Sequence, residues 1–240
     1  MKIVITGCSN GIGLELVKIL TESHTVYGLS RNTKKLEKLK SSLNNPQNFL
    51  FQVGDVAMIN SRITNDWITD SSIDLLINNA GILINKPFPN INYQDYKSVM
   101  DVNFWGAFNI TQILLEKLSR AKGSVLNISS MGGVNFTSKY PGLSLYSSSK
   151  GALTVLTECL SEELKDHNIR VNAFALGAVQ TEMLSKAFPE YNSETSAFKM
   201  ASFIVNFIKS SDNLVNGQVF RVANSNPWDL IFSKIYFKHL

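Results

Sequence analysis

The chain has 240 residues, 44% hydrophobic and 18% charged, with a net charge of +4. Such values describe a soluble globular protein with a real core. The positive charges are scattered, which argues against a nucleic-acid footprint, and no apolar run is long enough to span a bilayer.

Cys8 and Cys159 are far apart and neither belongs to a CxxC pair, so no structural disulfide is expected and a reducing, cytoplasmic setting fits. His24, His167 and His239 make no metal-ligand spacing, so no metal is expected. The first strand begins almost at Met1, and no signal peptide is expected ahead of it.

In chain order, apolar runs at 2–6, 25–30, 49–53, 73–78, 124–129, 170–176 and 218–223 are predicted strands. Most lack strict alternation, as strands buried on both faces do. Between them lie helix-period segments at 11–22, 33–44, 58–68, 93–119, 146–166 and 195–209. This alternation predicts one α/β domain over 1–224, a doubly wound Rossmann-type fold with a mostly parallel seven-stranded sheet and helices on both faces. Residues 225–240 read as a short amphipathic tail helix, with Asn226 as N-cap and Trp228, Ile231, Phe232, Ile235 and Tyr236 at helical spacing. Docking on its own subunit or a neighbour is the preferred account of that tail, and contact with a membrane surface through Lys234 and Lys238 is the lesser one.

The strand KIVIT runs into GCSNGIGLELVKIL, which sets Gly7, Gly11 and Gly13 at the first strand–helix junction. Glycine lets the backbone approach a ligand, and the helix beyond offers unpaired N–H groups to a phosphate. The second strand ends in YGLSRN without the acidic residue that takes a ribose hydroxyl in NAD-preferring folds. Arg31 is available there instead, and a guanidinium suits a 2′-phosphate, so NADP(H) is favoured over NAD(H). The competing account of Arg31 is an ordinary surface arginine beside a helix cap. In YSSSK, Tyr146 and Lys150 share a helix face at i, i+4, where an ammonium could lower a phenol's pKa and suit it to acid–base work.

These motifs, with GDV at 54–56, NNAG at 78–81, DVNFWGAF at 101–108 and LNISSMGG at 126–133, resemble the short-chain dehydrogenase/reductase family in order and separation. The resemblance implies a cofactor site of Gly7, Ser9, Asn10, Gly11, Ile12, Gly13, Arg31, Asp55, Val56, Asn79, Ala80, Gly81, Tyr146, Lys150, Gly177, Val179 and Thr181. It implies Tyr146 as general acid/base, Lys150 on the nicotinamide ribose, Ser130 on the substrate oxygen, and Asn103 holding a water that links Lys150 to solvent. Three departures stand out. Ser130 and Tyr146 are 16 positions apart, a longer interval than is usual. Leu176 replaces the family's proline, and FRVANSNP at 220–227 lacks the acidic, glycine-paired ending of many members.

The stretch 182–200 follows the sixth strand, where open α/β folds place ligand crevices. Its Met183, Leu184 and Phe188, with Phe136, Leu143 and Ser130, suggest a pocket for a ketone, an alcohol or an acyl chain. Phe104, Trp105 and Phe108, with Ala152, Val155, Cys159 and Leu160, give more apolar surface than one sheet covers, and a homodimer or homotetramer is expected. The expected activity is an NADP(H)-dependent oxidoreductase interconverting a carbonyl and a secondary alcohol. The alternative is a cofactor-binding regulatory or scaffold protein without turnover.

Overall fold

Ile3 and Ile5 belong to one core cluster and Val4 to another, and all three are wholly buried. Alternate side chains of a strand face opposite sides of a sheet. This one stretch therefore shows a sheet covered on both faces, which is why its strands are continuously apolar. The structure is a computed structural model that describes residues 1–210 and 214–223. The tail helix expected over 225–240 lies outside the described residues.

Seven strands form the sheet: β1 (Lys2–Thr6), β2 (Thr25–Ser30), β3 (Phe49–Val53), β4 (Leu75–Asn78), β5 (Ser124–Ser130), β6 (Arg170–Leu176) and β7 (Val219–Val222). All pair in parallel, in the order β3-β2-β1-β4-β5-β6-β7. The chain reverses its direction of travel across the sheet between β1 and β4, and a crevice opens there beyond the carboxyl ends of the strands.

On one face, Ile3, Ile5 and Phe174 pack with Leu16 of α1 (Gly11–Leu20), Leu36 of α2 (Thr33–Ser41) and Ile204 of α9 (Ala197–Ser210). On the other, Val4, Leu29 and Leu76 pack with Trp67 of α3 (Ser61–Trp67), Ile110 of α5 (Gly106–Ile113) and Leu118 of α6 (Leu115–Ala121). Each such side chain contributes about 2 kcal/mol on burial. Three further helices, α4 (Tyr93–Met100), α7 (Ser144–Glu163) and α8 (Glu182–Ala187), complete the described set.

The unbroken helix predicted over 93–119 is instead α4, a π-turn at Asp101–Trp105, α5 and α6. A capping box between Asn92 and Asp95 starts α4. The π-turn then inserts extra backbone, and Gly106 just beyond it lies against Val56, where a Cβ would sit 2.6 Å from Cγ1. Apolar periodicity cannot reveal such an insertion, because it shifts the helix face by only a fraction of a turn.

Candidate active site

Side chains cap α2, α3, α4 and α8: Asn32, Asn60, Asn92 and Thr181 each accept a hydrogen bond from a first-turn N–H. The start of α1 is different. Asn10 makes no capping bond, and its Oδ1 accepts from Lys35 Nζ at 2.9 Å instead. The first-turn N–H groups of α1 are thus left to the cleft, as an anion site requires.

That cleft has a volume of about 700 Å³. Of all the candidate residues, only Gly13 and Asn103 do not line it. Gly7 has φ +70°, and a Cβ there would come within 2.6 Å of Ala80 Cα. A Cβ on Gly13 would meet the Gly7 carbonyl at 2.4 Å. The third glycine therefore seats α1 on β1 and touches no ligand space. Thr6, which the motifs did not single out, joins the glycine loop to the segment after β4. Its Oγ1 accepts from the backbone N–H groups of Asn79 and Ala80, at 3.1 and 3.0 Å. Asn79 Nδ2 donates to the Thr6 and Gly7 carbonyls, both at 3.0 Å.

At the end of β2, Ser30 and Ser9 hydroxyls meet at 2.7 Å, and Arg31 stands 3.7 Å from Asp55. The Arg31 side chain is 66% exposed, so its guanidinium keeps donors for a phosphate. The uncapped helix, the glycine cradle and this cation fit a nicotinamide dinucleotide.

The reacting side chains come from β5 and the first turns of α7. Ser129 Oγ donates to the Lys150 carbonyl at 2.9 Å, and a Cβ on Gly133 would meet that peptide at 2.5 Å. This tight approach brings Ser130 and Tyr146 to one wall of the cleft. Lys150 is buried, and Nζ donates to the Ile128 carbonyl at 2.8 Å. Burial lowers its pKa to about 8. The partly buried Tyr146 phenol is pushed up by desolvation, against a lowering by the Ser130 hydroxyl. The spacing of YSSSK predicts the opposite direction for this phenol. The difference arises because Lys150 turns its ammonium to a carbonyl, while burial acts on the phenol unopposed by charge.

Asn103 sits on the π-turn, behind the cleft wall. Its Oδ1 accepts from Ile82 N–H at 2.8 Å, and Nδ2 donates to the Ile82 carbonyl and to Ser149 Oγ, both at 2.9 Å. Both amide protons are spent, so a water would be held by the second Oδ1 lone pair or by a backbone carbonyl loosened in the π-turn. Deeper still, Asn78 Nδ2 donates to Asn127 Oδ1 and Thr111 Oγ1, and Asn127 Nδ2 to Thr157 Oγ1, tying β4 and β5 to α5 and α7.

Beyond β6, Leu176 pairs with both Ser130 and Val222, and Gly177 N–H donates to the Val222 carbonyl at 2.9 Å. The ladder thus anchors the loop that lacks the family's proline. Leu143, Met183, Leu184 and Phe188 also line the cleft, with a fully exposed Phe136. Ser138, Tyr140, Tyr191 and Arg221 line it too, and no motif pointed to them. Nothing basic stands four residues after Tyr140, where Ser144 lies, so the Tyr146–Lys150 spacing is not repeated there. Among the described residues, no His/Cys/Asp/Glu group could hold a metal, and no helix is long and apolar enough to cross a membrane.

A family model described as short chain dehydrogenase matches residues 1–192. The chain is 31% identical over 199 residues to the 3-oxoacyl-(acyl-carrier-protein) reductase FabG of Thermotoga maritima, covering 80% of this chain and 79% of that protein. It is 31% identical over 186 residues to carbonyl reductase (NADPH) 2 of Sus scrofa, covering 76% of this chain and 73% of that protein. The solved structure of ElxO with NADP bound is similar with a TM-score of 0.78 and 26% identity, over 92% of this chain and 96% of that one.

Proposed function

Because this chain belongs to the short-chain dehydrogenase/reductase family, and so is an NAD(P)-dependent oxidoreductase, we propose that it interconverts a carbonyl and a secondary alcohol with NADP(H) and with Tyr146 as general acid/base. The observation that carries the reading is one cleft lined by the glycine loop, Ser130, Tyr146 and Lys150 together.

When bound, the nicotinamide supplies or accepts the hydride. The rest of the work falls to the chain. Negative charge develops on the substrate oxygen as a carbonyl is reduced, and a proton must reach it. Ser130 donates a hydrogen bond to that oxygen and fixes its position. Tyr146, a phenol that burial pushes up from its ordinary value, gives it the phenolic proton. Lys150 is charged below about pH 8, holds the nicotinamide ribose and returns a proton toward the phenol. Asn103 braces Ser149 in the same turn of α7 and keeps both groups in register. Uncapped N–H groups of α1 and the Gly7 cradle receive the pyrophosphate, and Arg31 receives the 2′-phosphate. NADPH in the name of the pig relative and NADP in the ElxO structure support the phosphorylated cofactor.

Trp105 is 43% and Val155 58% exposed, and Cys159 is exposed as well. These residues lie on α7 and on the π-turn that packs beside it, so we assign that face to a homo-oligomer contact.

The test is NADPH oxidation against ketones, diketones and acyl thioesters. Turnover is expected to fall about 10³-fold in Tyr146→Phe with NADPH affinity retained. Turnover unchanged by that substitution removes Tyr146 as the acid. Cofactor binding without turnover on the whole panel supports the scaffold alternative.

A further inference from the structure

The cleft has six charged side chains: Arg31, Asp55, Lys150, Glu182, Lys186 and Arg221. Arg31 faces Asp55 at 3.7 Å. Glu182 lies 2.7 Å from Lys186 and 3.0 Å from Lys35. Lys150 is taken up by the reacting centre. Arg221 is the charge left over: among the described residues it has no carboxylate within ion-pair distance. Its one hydrogen bond among the described residues, from the exposed Nη2 to the Asn135 carbonyl at 3.1 Å, uses one of five N–H donors.

That bond holds Arg221 against the loop that carries Ser138 and Tyr140. Ser138 Oγ and Tyr140 Oη are both buried, on residues that line the cleft; neither has a hydrogen-bond partner of good geometry, although the Ser138 hydroxyl stands near enough to the Tyr140 phenol to act against the rise that burial gives it. Ser138 itself is only 5% exposed. A buried hydroxyl left unpaired costs about 1–3 kcal/mol, so two of them in the loop that Arg221 braces mark a place suited to an external acceptor. The sign of the surroundings agrees. Lys139 also lies in this loop, and its pKa is lowered by burial and then by the charge of Arg221, which places the two cations near each other.

We propose that this end of the cleft is an anion subsite, and that the carbonyl substrate bears a carboxylate or phosphate group received by Arg221 with the hydroxyls of Ser138 and Tyr140. The proposal rests on the reductase reading above and names its substrate class. The cofactor's own phosphates are excluded as the ligand by distance. Strands are spaced about 4.8 Å apart, so Arg221 on β7 lies roughly 19 Å across the sheet from the glycine loop at β1 and roughly 24 Å from Arg31 at β2. It lies only about 10 Å from the strand of Ser130, because Ser129 pairs with Ala175 and Ala175 with Arg221. A short compound can therefore offer its carbonyl to Ser130 and its anion to Arg221.

The experiment compares two substrate pairs that differ in charge, acetoacetate with methyl acetoacetate and dihydroxyacetone phosphate with dihydroxyacetone, in NADPH oxidation by the wild-type protein. Calorimetric titration of the two anions into protein loaded with NADP⁺ runs beside it. At least one anionic member is expected to exceed its neutral partner about tenfold in kcat/KM, and the better pair separates a carboxylate from a phosphate site. Arg221→Met is expected to raise KM and Kd for that anion roughly tenfold to a hundredfold, with a far smaller change for the neutral partner. Because Arg221 also braces the loop, Tyr140→Phe provides the second test, with a severalfold rise in KM for the anion alone. Equal use of charged and neutral members, or equal losses on both in Arg221→Met, overturns the anion subsite and leaves the reductase reading standing. Anion binding that is lost in Arg221→Met, in a protein that turns over no substrate, overturns the reductase reading and leaves the subsite. Absence of both turnover and anion binding overturns the subsite as well.

Discussion

The two ends of the cleft are built on opposite plans. At the β1–β2–β4 end, backbone presses on backbone: a Cβ at Gly7 or Gly13 has no room, and Thr6 and Asn79 fasten the facing segments with paired hydrogen bonds. At the β6–β7 end, the walls are the loop at 134–143 and the edge strand β7, and the two buried hydroxyls there lack hydrogen-bond partners of good geometry. The first plan gives a fixed mould for a ligand that is the same for many enzymes. The second holds binding groups in reserve, and its loop can be exchanged without disturbing the sheet.

Three substitutions separate the plans. The largest effect is expected from Gly13→Ala, which drives a methyl into the Gly7 carbonyl. NADPH affinity should fall at least a hundredfold by fluorescence titration, while anion binding at the Arg221 end changes little. Equal loss at both ends would show the two plans to be one mechanical unit. Arg31→Asp is expected to be milder: NADPH affinity falls roughly tenfold to a hundredfold and NADH affinity is kept or improved. A wild-type protein that binds NADH more tightly than NADPH removes Arg31 from the cofactor site.

The smallest effect falls at the seam, on Lys150, and it is one of stability. Its pKa drops from 10.5 to about 8 on folding, because burial opposes the charge. The unfolded chain therefore binds the proton more tightly, and stability rises with pH between about 8 and 10.5. At pH 7 the buried ammonium costs the fold about 3 kcal/mol. Lys150→Met removes that cost but orphans the Ile128 carbonyl, which offsets about 1–2 kcal/mol. Urea unfolding should show the variant about 1–2 kcal/mol more stable at pH 7, with the advantage gone between about pH 9 and 10 and reversed above that. A variant less stable at pH 7 would mean that the ammonium is well solvated in the cleft.

What the sequence disclosed follows the same division. Strand runs such as KIVIT and IDLLIN name their own elements because both faces are buried, and the seven-strand order is the outcome expected of their alternation with helices. The cofactor end is legible because its constraints are local: glycines where no side chain fits, at fixed offsets within one turn. Gly13 and Asn103 were readable as motif members but not as packing groups, since neither contact partner, the Gly7 carbonyl or Ile82, is marked by residue type. The π-turn under Asn103 left no trace in the apolar periodicity. The substrate end was the least legible. Ser138, Tyr140 and Arg221 are ordinary residues up to 83 positions apart, and only the pairing of β7 with β6 brings the last of them to the loop. Arg221 stood unremarked within FRVA.

Cys8 belongs to the glycine loop and is wholly buried, with its thiol pushed up to about 12, and its Sγ occupies the space a side chain on Gly28 would need. Thiolate character and access both govern thiol chemistry, so this sulfur is inert to alkylation in the folded protein. Cys159, the other cysteine of the chain, is exposed on α7. The molecule therefore carries its own single attachment point for a maleimide dye or spin label, on the face assigned to subunit contact. One labelled protein can report distance between copies in solution with no cysteine engineered in or out.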